Sequence, residues 1–288
     1  MPEFPAAGPI LATVRISTGD LRIVAEQRDT VSVEVRPGAG SDAARSAADE
    51  TLVEMVGDQL TIETPQARGF VIRRNAPVNI IARVPLDSRL MLRSASADIT
   101  CDGRFGDSDI NSASGDLLID HIAGDLQRHS ASGDMRFTRI DGRLTTDAAS
   151  GDIRGRSVGG DLSVKTASGD IAIEAVGGDA RVGTASGDVT VGNVVAGTTR
   201  IHTASGDVRV GVAEGTPLWL DLNTISGDTR TDLPVTSETP AGATATLSLY
   251  VRTASGDITV RRAVTPPAER SPRASRAAMA SADDDPQD

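Results

Sequence analysis

The chain has 288 residues, of which 39% are hydrophobic and only 2% aromatic, and it carries a formal net charge of −11 at pH 7. Its single cysteine, Cys101, excludes internal disulfides. The negative charge argues against a general nucleic-acid or anionic-membrane surface, because phosphate would be repelled. No run of about 18 apolar residues occurs, so no segment is predicted to span a bilayer.

The first 90 residues contain short stretches that alternate or run apolar between turn residues, such as Leu11 to Ile16 and Val78 to Val84. A period of two is typical of β-strands. We predict a strand-rich N-terminal cap over residues 1–90, with degenerate repeats that cover an otherwise unpaired strand edge. The Ala-rich stretch from Ser41 to Glu50 is interpreted either as a short helix or as a polar excursion.

From residue 91 onward the triplet Ser-Gly-Asp recurs, at first every 18 residues and later with small insertions. A variant, Ser96-Ala97-Asp98, precedes the first full copy. Such periodicity indicates a structural repeat rather than a single site. The predicted corners of the repeat are Gly115 and Asp116, Gly133 and Asp134, Gly151 and Asp152, Gly169 and Asp170, Gly187 and Asp188, Gly206 and Asp207, Gly227 and Asp228, and Gly256 and Asp257.

Each 18-residue unit holds two short strands and two glycine corners. Apolar residues two apart follow each Asp, as at Ile171 and Ile173, and a second glycine such as Gly178 comes nine residues after the triplet glycine. Glycine supplies the positive φ or the close backbone approach that a sharp corner needs. The unit fits a hairpin meander or a stacked coil, and the coil is favoured because stacking about 4.8 Å apart aligns identical residues.

The predicted fold class is therefore all-β, a single-stranded β-solenoid of 18-residue, two-strand coils over residues 91–263. Following the alternation onward from Leu162 and Val164 places Thr166 and Ser168 on the inward side, where their hydroxyls would stabilise a corner, and an outward orientation is the alternative. Ala148 interrupts this series of hydroxyl residues. Cys101 matches an inward position of the next unit and is predicted to be a buried filler.

Stacking would place the repeated Asp side chains in one column, where neighbouring carboxylates repel by roughly 1 kcal/mol even in water. We expect each Asp to accept hydrogen bonds from backbone N–H groups at its own corner, or from the adjacent Ser, in an Asx-type turn. A Ca²⁺ ion between units is the alternative, but each corner offers few ligands. No metal or cofactor is therefore predicted.

The chain is not predicted to be an enzyme. His121, His129 and His202 fall at different phases of the repeat, and neither a Gly-x-Ser-x-Gly elbow nor an HExxH motif occurs. A glycan-active enzyme remains an alternative, although Trp219 and Tyr250 are isolated and offer no continuous platform for sugar rings. Trp219, between two leucines, is interpreted as packing or cap material.

After residue 263 the composition changes to prolines, spaced arginines and the acidic end Asp283-Asp284-Asp285, so residues 264–288 are predicted to be a disordered tail. The start, Met1-Pro2-Glu3-Phe4-Pro5, has neither the charged region nor the apolar region of a signal peptide. We therefore expect a cytoplasmic protein, with the cell surface as the alternative.

The run from Val78 to Pro85, followed by Ser94 to Ile99 and the repeated Ala-Ser-Gly-Asp units, resembles the bacterial putative adhesin family, whose β-strand-repeat domains have no known function. The resemblance covers roughly residues 10 to 262. It implies a β-solenoid-like fold, often in envelope-associated proteins, and offers no established catalytic residues to carry over. The expected function is a non-enzymatic, adhesin-like scaffold with a protein partner of unknown identity. The alternative is an exported surface adhesin that binds glycan or protein.

Overall fold

The computed structural model describes residues 2–65, 76–233 and 246–263. Almost every element in these ranges is a strand, and the one described helix is α1 (Asp42–Asp49). The strands are β1 (Glu3–Pro5), β2 (Leu11–Glu26), β3 (Thr30–Pro37), β4 (Leu52–Val56), β5 (Gln59–Glu63), β6 (Val78–Pro85), β7 (Arg89–Phe105), β8 (Ser108–Ser114), β9 (Leu117–Ile122), β10 (Leu126–Ser130), β11 (Met135–Ile140), β12 (Leu144–Ser150), β13 (Ile153–Val158), β14 (Leu162–Ser168), β15 (Ile171–Val176), β16 (Ala180–Ser186), β17 (Val189–Val194), β18 (Gly197–Ser205), β19 (Val208–Val212), β20 (Leu218–Ser226), β21 (Thr229–Thr231), β22 (Leu247–Ser255) and β23 (Ile258–Arg262).

The repeats form a two-sided β-solenoid. The first sheet stacks β8, β10, β12, β14, β16 and β18 in parallel, and the second sheet stacks β9, β11, β13, β15, β17 and β19. Residues 18 apart pair in register, as Leu144 does with Leu162. One strand from each sheet makes a rung, while the long strands β2 and β7 run through both sheets. The predicted fold class is thus confirmed.

The core lies between the inner faces of the two sheets. In the rung of β14 and β15, the residues that alternate inward are buried, namely Leu162, Val164, Thr166, Ile171 and Ile173. Because the same positions stack in register, each apolar side chain lies above its counterpart in the next rung. Two closely packed sheets leave room for Val, Ile and Leu, which explains the scarcity of aromatic residues.

Antiparallel strands close the N-terminal end of the stack. β2 forms a true rung beside β7, with Gly19 opposite Ala97. β5 and β6 pair with the outer edge of β2. β4 then pairs with β5, and β3 pairs with β6, in antiparallel fashion. The stretch that follows Ser41 is a helix, because the Ala44 N–H donates to the Ser41 hydroxyl at 3.2 Å and caps it.

The last two rungs do not follow chain order. The rung of β22 and β23 lies between that of β18 and β19 and that of β20 and β21, so that Ser255 pairs with both Ser205 and Ser226. Chain order would place Ser226 in the penultimate rung, whereas it lies in the outermost one. The physical reason is burial, because the inward residues of β22 and β23 are buried and all apolar except Thr253, whereas β21 consists of the exposed Thr-Arg-Thr.

The expected inward direction is right for Thr166 and wrong for Ser168. Thr166 is buried and its hydroxyl donates to the Ser168 carbonyl oxygen at 3.0 Å, but the Ser168 side chain is exposed. Alternation ends there because the backbone begins to turn into the corner at Gly169, which has a φ of +126°.

A buried arginine accompanies the interruption at Ala148. Arg128 is 1% exposed and pairs in register with Ile110 and Thr146, which are also buried. Its Nη2 donates to the Gly133 carbonyl oxygen at 2.9 Å, while Nε and Nη1 have no partner among the described residues. Burial lowers the pKa of Arg128, and the charges of two nearby aspartates oppose that shift.

Candidate functional site

The triplet glycines occupy the first corner of each rung. Their φ angles lie between +108° at Gly115 and +148° at Gly227. A Cβ atom on Gly169 would also collide with the Gly151 carbonyl oxygen of the neighbouring rung. At the second corner, Gly160 and Gly178 meet the preceding rung closely without a positive φ. Both corners therefore depend on the absence of a side chain, but only the first also depends on the backbone conformation of glycine.

The triplet aspartates form a hydrogen-bonded ladder along the first corner. The backbone N–H of each Asp donates to Oδ1 of the Asp in the preceding rung, as between Asp134 and Asp116 at 2.9 Å. The ladder runs through Asp98, Asp116, Asp134, Asp152, Asp170, Asp188, Asp207, Asp257 and Asp228. The donor belongs to the neighbouring rung, whereas the Asx-turn interpretation placed it within the same corner.

Arginines two residues after some of these aspartates balance their charge. Arg209 contacts Asp207 at 2.9 Å and Asp188 at 3.1 Å, so it bridges two rungs. Arg230 likewise contacts Asp228 and the adjacent rung. The pKa of Asp188 is lowered mainly by the N–H of Asp207 and further by Arg209, while partial burial opposes the shift. Hydrogen bonds between rungs thus hold the ladder together, and arginines balance the charge of part of it.

No group of three or more potential metal-ligating residues occurs within residues 2–65, 76–233 and 246–263.

A second, shorter ladder follows the second corner, where the N–H of Asp179 donates to Asp161 at 3.1 Å and that of Arg143 donates to Asp125 at 2.7 Å. A shallow groove of about 360 Å³ lies beside it, lined by side chains that include Met91, Asp109, Gln127 and Thr145.

The three histidines lie apart. His121, in the second sheet, contacts Asp141 at 2.9 Å, and Arg139 also pairs with that carboxylate. Arg139 first, and then His121, lowers the pKa of Asp141. His129 lies 3.5 Å from Asp147 in the first sheet, whereas His202 lies four rungs further along the same sheet. These contacts lie on different parts of the surface.

The predicted burial of Cys101 is confirmed, since its side chain is completely buried. Burial raises the pKa of the thiol to about 12, and the neighbouring Asp102 adds to the shift. A thiol with so high a pKa stays protonated and is a poor nucleophile or metal ligand.

The C-terminal rung leaves part of the core open. Leu220 and Leu222 of β20 are half-buried, whereas their counterparts in β22 are fully buried. Trp219 is 56% exposed and Ile225 is 84% exposed. Trp219 therefore lies on an edge strand with most of its surface open, rather than packing in the core. No strand pairs with the outer edge of β20 or β21 in the described part of the chain.

Two segments of the chain, residues 81–160 and 154–266, match one family over most of the solenoid. The chain belongs to the Toastrack DUF4097 family. The family resemblance predicted from the repeated units is thereby confirmed. No curated protein matches the chain significantly.

The chain is also similar to solved structures of low sequence identity. A putative adhesin from Bacteroides fragilis is 10% identical, with a TM-score of 0.42, covering 90% of this chain and 95% of that one. A putative adhesin from Parabacteroides distasonis is 13% identical, with a TM-score of 0.39 and coverages of 91% and 95%. A putative lipid binding protein from the same species is 14% identical, with a TM-score of 0.36 and coverages of 91% and 96%.

None of the described helices has the length and apolar character needed to cross a membrane.

Proposed function

We propose that the protein is a non-enzymatic, adhesin-like scaffold whose open C-terminal rung binds an extended segment of a protein partner. The observation that supports this function is the half-open core at β20, where no rung in the described part of the chain covers Leu220 and Leu222 as one covers their counterparts in β22. A strand added to this edge would pair with the backbone and cover the leucines.

Exposed apolar side chains flank the same edge. Trp219 and Ile225 point outward beside the half-buried leucines, and tryptophan is among the residues that contribute most to protein interfaces. Long apolar edges are usually blunted by charges or covered, because they otherwise pair with other chains. An edge that keeps its apolar residues is suited to a specific partner.

The proposal that the protein has no enzymatic activity draws on the polar groups described above. The Asp ladders are bonded internally, Cys101 is buried and protonated, and the partners of His121 and His129 are carboxylates and an amide rather than nucleophiles. Catalysis needs a nucleophile, a base and an orienting group within reach of one another.

The experiment compares partner capture by three forms of the full chain: the natural sequence, an edge variant with Trp219→Ser and Ile225→Ser, and a control variant with Leu118→Ser. Leu118 is 49% exposed but lies on the second sheet, far from the open rung. A protein from native cells should bind the natural chain and the control variant but not the edge variant. The same protein, once purified, should bind the natural chain again. Equal capture by all three forms would contradict the proposal. So would a dimer of the natural chain that the edge variant abolishes, since the occupant would then be a second copy.

We propose a cytoplasmic location, supported by the single cysteine, which is kept as a buried thiol. Fractionation of native cells with an antibody against the chain tests it, and recovery from the cell surface would favour the exported adhesin instead.

A further inference from the structure

Four cationic side chains and one histidine cluster on the outer face of the first sheet, across four consecutive rungs. This basic patch consists of Lys165, Arg181, Arg200, His202 and Arg252, and all five side chains are exposed. We propose that the basic patch binds an acidic polysaccharide, a function separate from the proposed protein binding at the open rung.

The strand register places the patch in two adjacent columns. Lys165, Gly183, His202 and Arg252 follow one another in the first column, with one residue in each rung. Arg181 and Arg200 lie side by side in the second column. At about 4.8 Å per rung, the first column spans roughly 14 Å. When the two columns are taken together, each of the four rungs carries one Lys or Arg, so positive groups follow the stack as a linear anionic ligand requires.

The ion pairing of the patch is weaker than that of the arginines along the Asp ladder. Arg230 lies 2.6 Å from Asp228, and Arg209 lies 2.9 Å from Asp207. In the patch, Arg181 and Arg252 have carboxylates only at 3.9 and 4.0 Å. Among the described residues, Lys165, Arg200 and His202 have none within 4.0 Å, although acidic residues outnumber Lys and Arg by 40 to 29 in the sequence.

Gly183 makes a notch at the centre of the basic patch. It lies inside β16, has no positive φ, and an added Cβ would meet nothing within 4 Å. Neither packing nor backbone conformation therefore requires glycine at this position. A glycine of this kind in a strand often marks the close approach of a ligand. Arg181, Lys165 and His202 surround the notch, so an acidic group can reach the backbone between them.

The surroundings of the patch favour a sugar chain over a protein or a nucleic acid. Among the described residues, no exposed large apolar side chain lies on this face of the four rungs of the patch, and Trp219 and Ile225 lie one rung beyond it on the same face, so the patch itself lacks the apolar centre of a protein interface. The aromatic ring within these rungs, Tyr250, is covered by the Arg200 guanidinium at 5.2 Å from the ring centre, which leaves that ring no free platform for base stacking.

Exposed hydroxyls border the patch on the side of the first corner. Ser168, Ser186 and Ser205 pair in register along this border, and their side chains are exposed. Hydroxyl donors and acceptors beside cations match the two groups that an acidic sugar presents, its hydroxyls and its carboxylate.

Binding of polygalacturonate to the full chain tests the proposal. Two patch variants are used: Arg200→Ser with Lys165→Ser, and Gly183→Glu alone, which places a carboxylate in the notch without a packing clash. The matched control carries Arg136→Ser and Arg156→Ser, two exposed arginines of the second sheet, and loses the same charge as the first patch variant. Each patch variant should weaken binding by about tenfold, and the control by no more than about twofold.

Neutral dextran, polyglutamate and a single-stranded oligonucleotide are the comparison ligands, and dextran should not bind. Equal weakening in the control and patch variants would reduce the effect to overall charge and overturn the site. Tighter binding of polyglutamate or of the oligonucleotide would overturn the ligand class, and no binding of polygalacturonate would overturn the whole proposal. The edge variant with Trp219→Ser and Ile225→Ser should bind polygalacturonate normally, so failure of this proposal is distinguishable from failure of the protein-binding function.

Discussion

At the scale of single residues, the solenoid depends on backbone atoms that approach one another at the corners. Gly169 combines a φ of +126° with a position where any Cβ would meet the Gly151 carbonyl oxygen. The same carbonyl-over-glycine contact recurs at the other triplet glycines, because each corner stacks on the one before it. Glycine is thus required twice over at the first corner, by conformation and by space.

We therefore expect Gly169→Ala to lower the free energy of unfolding by about 1–3 kcal/mol from the backbone conformation alone, with a further cost from the collision. Gly183→Ala is the matched control, since an added Cβ there meets nothing and alanine stabilises a strand interior by about 0.5–1 kcal/mol relative to glycine. Thermal and urea unfolding of the two variants measure the difference. Equal stability of both would contradict the corner geometry.

The sequence allows many of these residue roles to be anticipated, though not all. The 18-residue step and the period of two predict the rungs, the corners and the burial of Cys101, because each follows from a local pattern. The buried Arg128 has no such signal, since the sequence pattern treats an arginine at an inward position as an irregularity. Its placement is supported by the hydrogen bond to the carbonyl of Gly133, a residue at the following corner that the local pattern does not link to Arg128.

At the scale of an element, the Asp ladder couples neighbouring rungs through charge. Asp188 accepts the N–H of Asp207 and pairs with Arg209, and both contacts favour the ionised carboxylate. Its folded-state pKa therefore lies below the ordinary value of 3.8. A carboxylate with a lowered pKa contributes stability that is present above its unfolded-state pKa and is lost as the pH falls through the folded pKa.

Stability should consequently fall as the pH drops below about 4, and Asp188→Asn should make that fall less steep. The amide oxygen still accepts the N–H of Asp207, so at pH 7 the variant should lose no more than about 1 kcal/mol, the range of an exposed ion pair. Melting temperatures from pH 7 to pH 3 measure both effects. Asp58→Asn, which removes one carboxylate outside the ladder, is the control and should follow the natural chain; a parallel curve for Asp188→Asn would contradict the coupling.

At the scale of the whole molecule, the two ends of the stack differ. The N-terminal end finishes in antiparallel strands and α1, whereas the C-terminal end finishes in the open rung of β20 and β21. Repeat periodicity could not predict the order of the last two rungs. The triplets at Ser226 and Ser255 have the same pattern, so either could have stacked on the triplet at Ser205. Burial decides the order, and it leaves the more polar rung outermost, beside the proposed protein-binding edge and one rung beyond the basic patch.

Engineered disulfides test this order directly. His202 of β18 pairs in register with Arg252 of β22, and Arg252 pairs with Asn223 of β20. The side chains of His202, Arg252 and Asn223 are exposed on the same face, so cysteines at 202 and 252 should cross-link on mild oxidation. Cysteines at 202 and 223 lie two rungs, or roughly 9.6 Å, apart, beyond the reach of about 7 Å between Cα atoms. Cross-linking is measured by non-reducing electrophoresis and mass spectrometry of the monomer. A stack in chain order would give the opposite result, because 202 and 223 would then be neighbours, and the open edge would belong to β22 instead of β20.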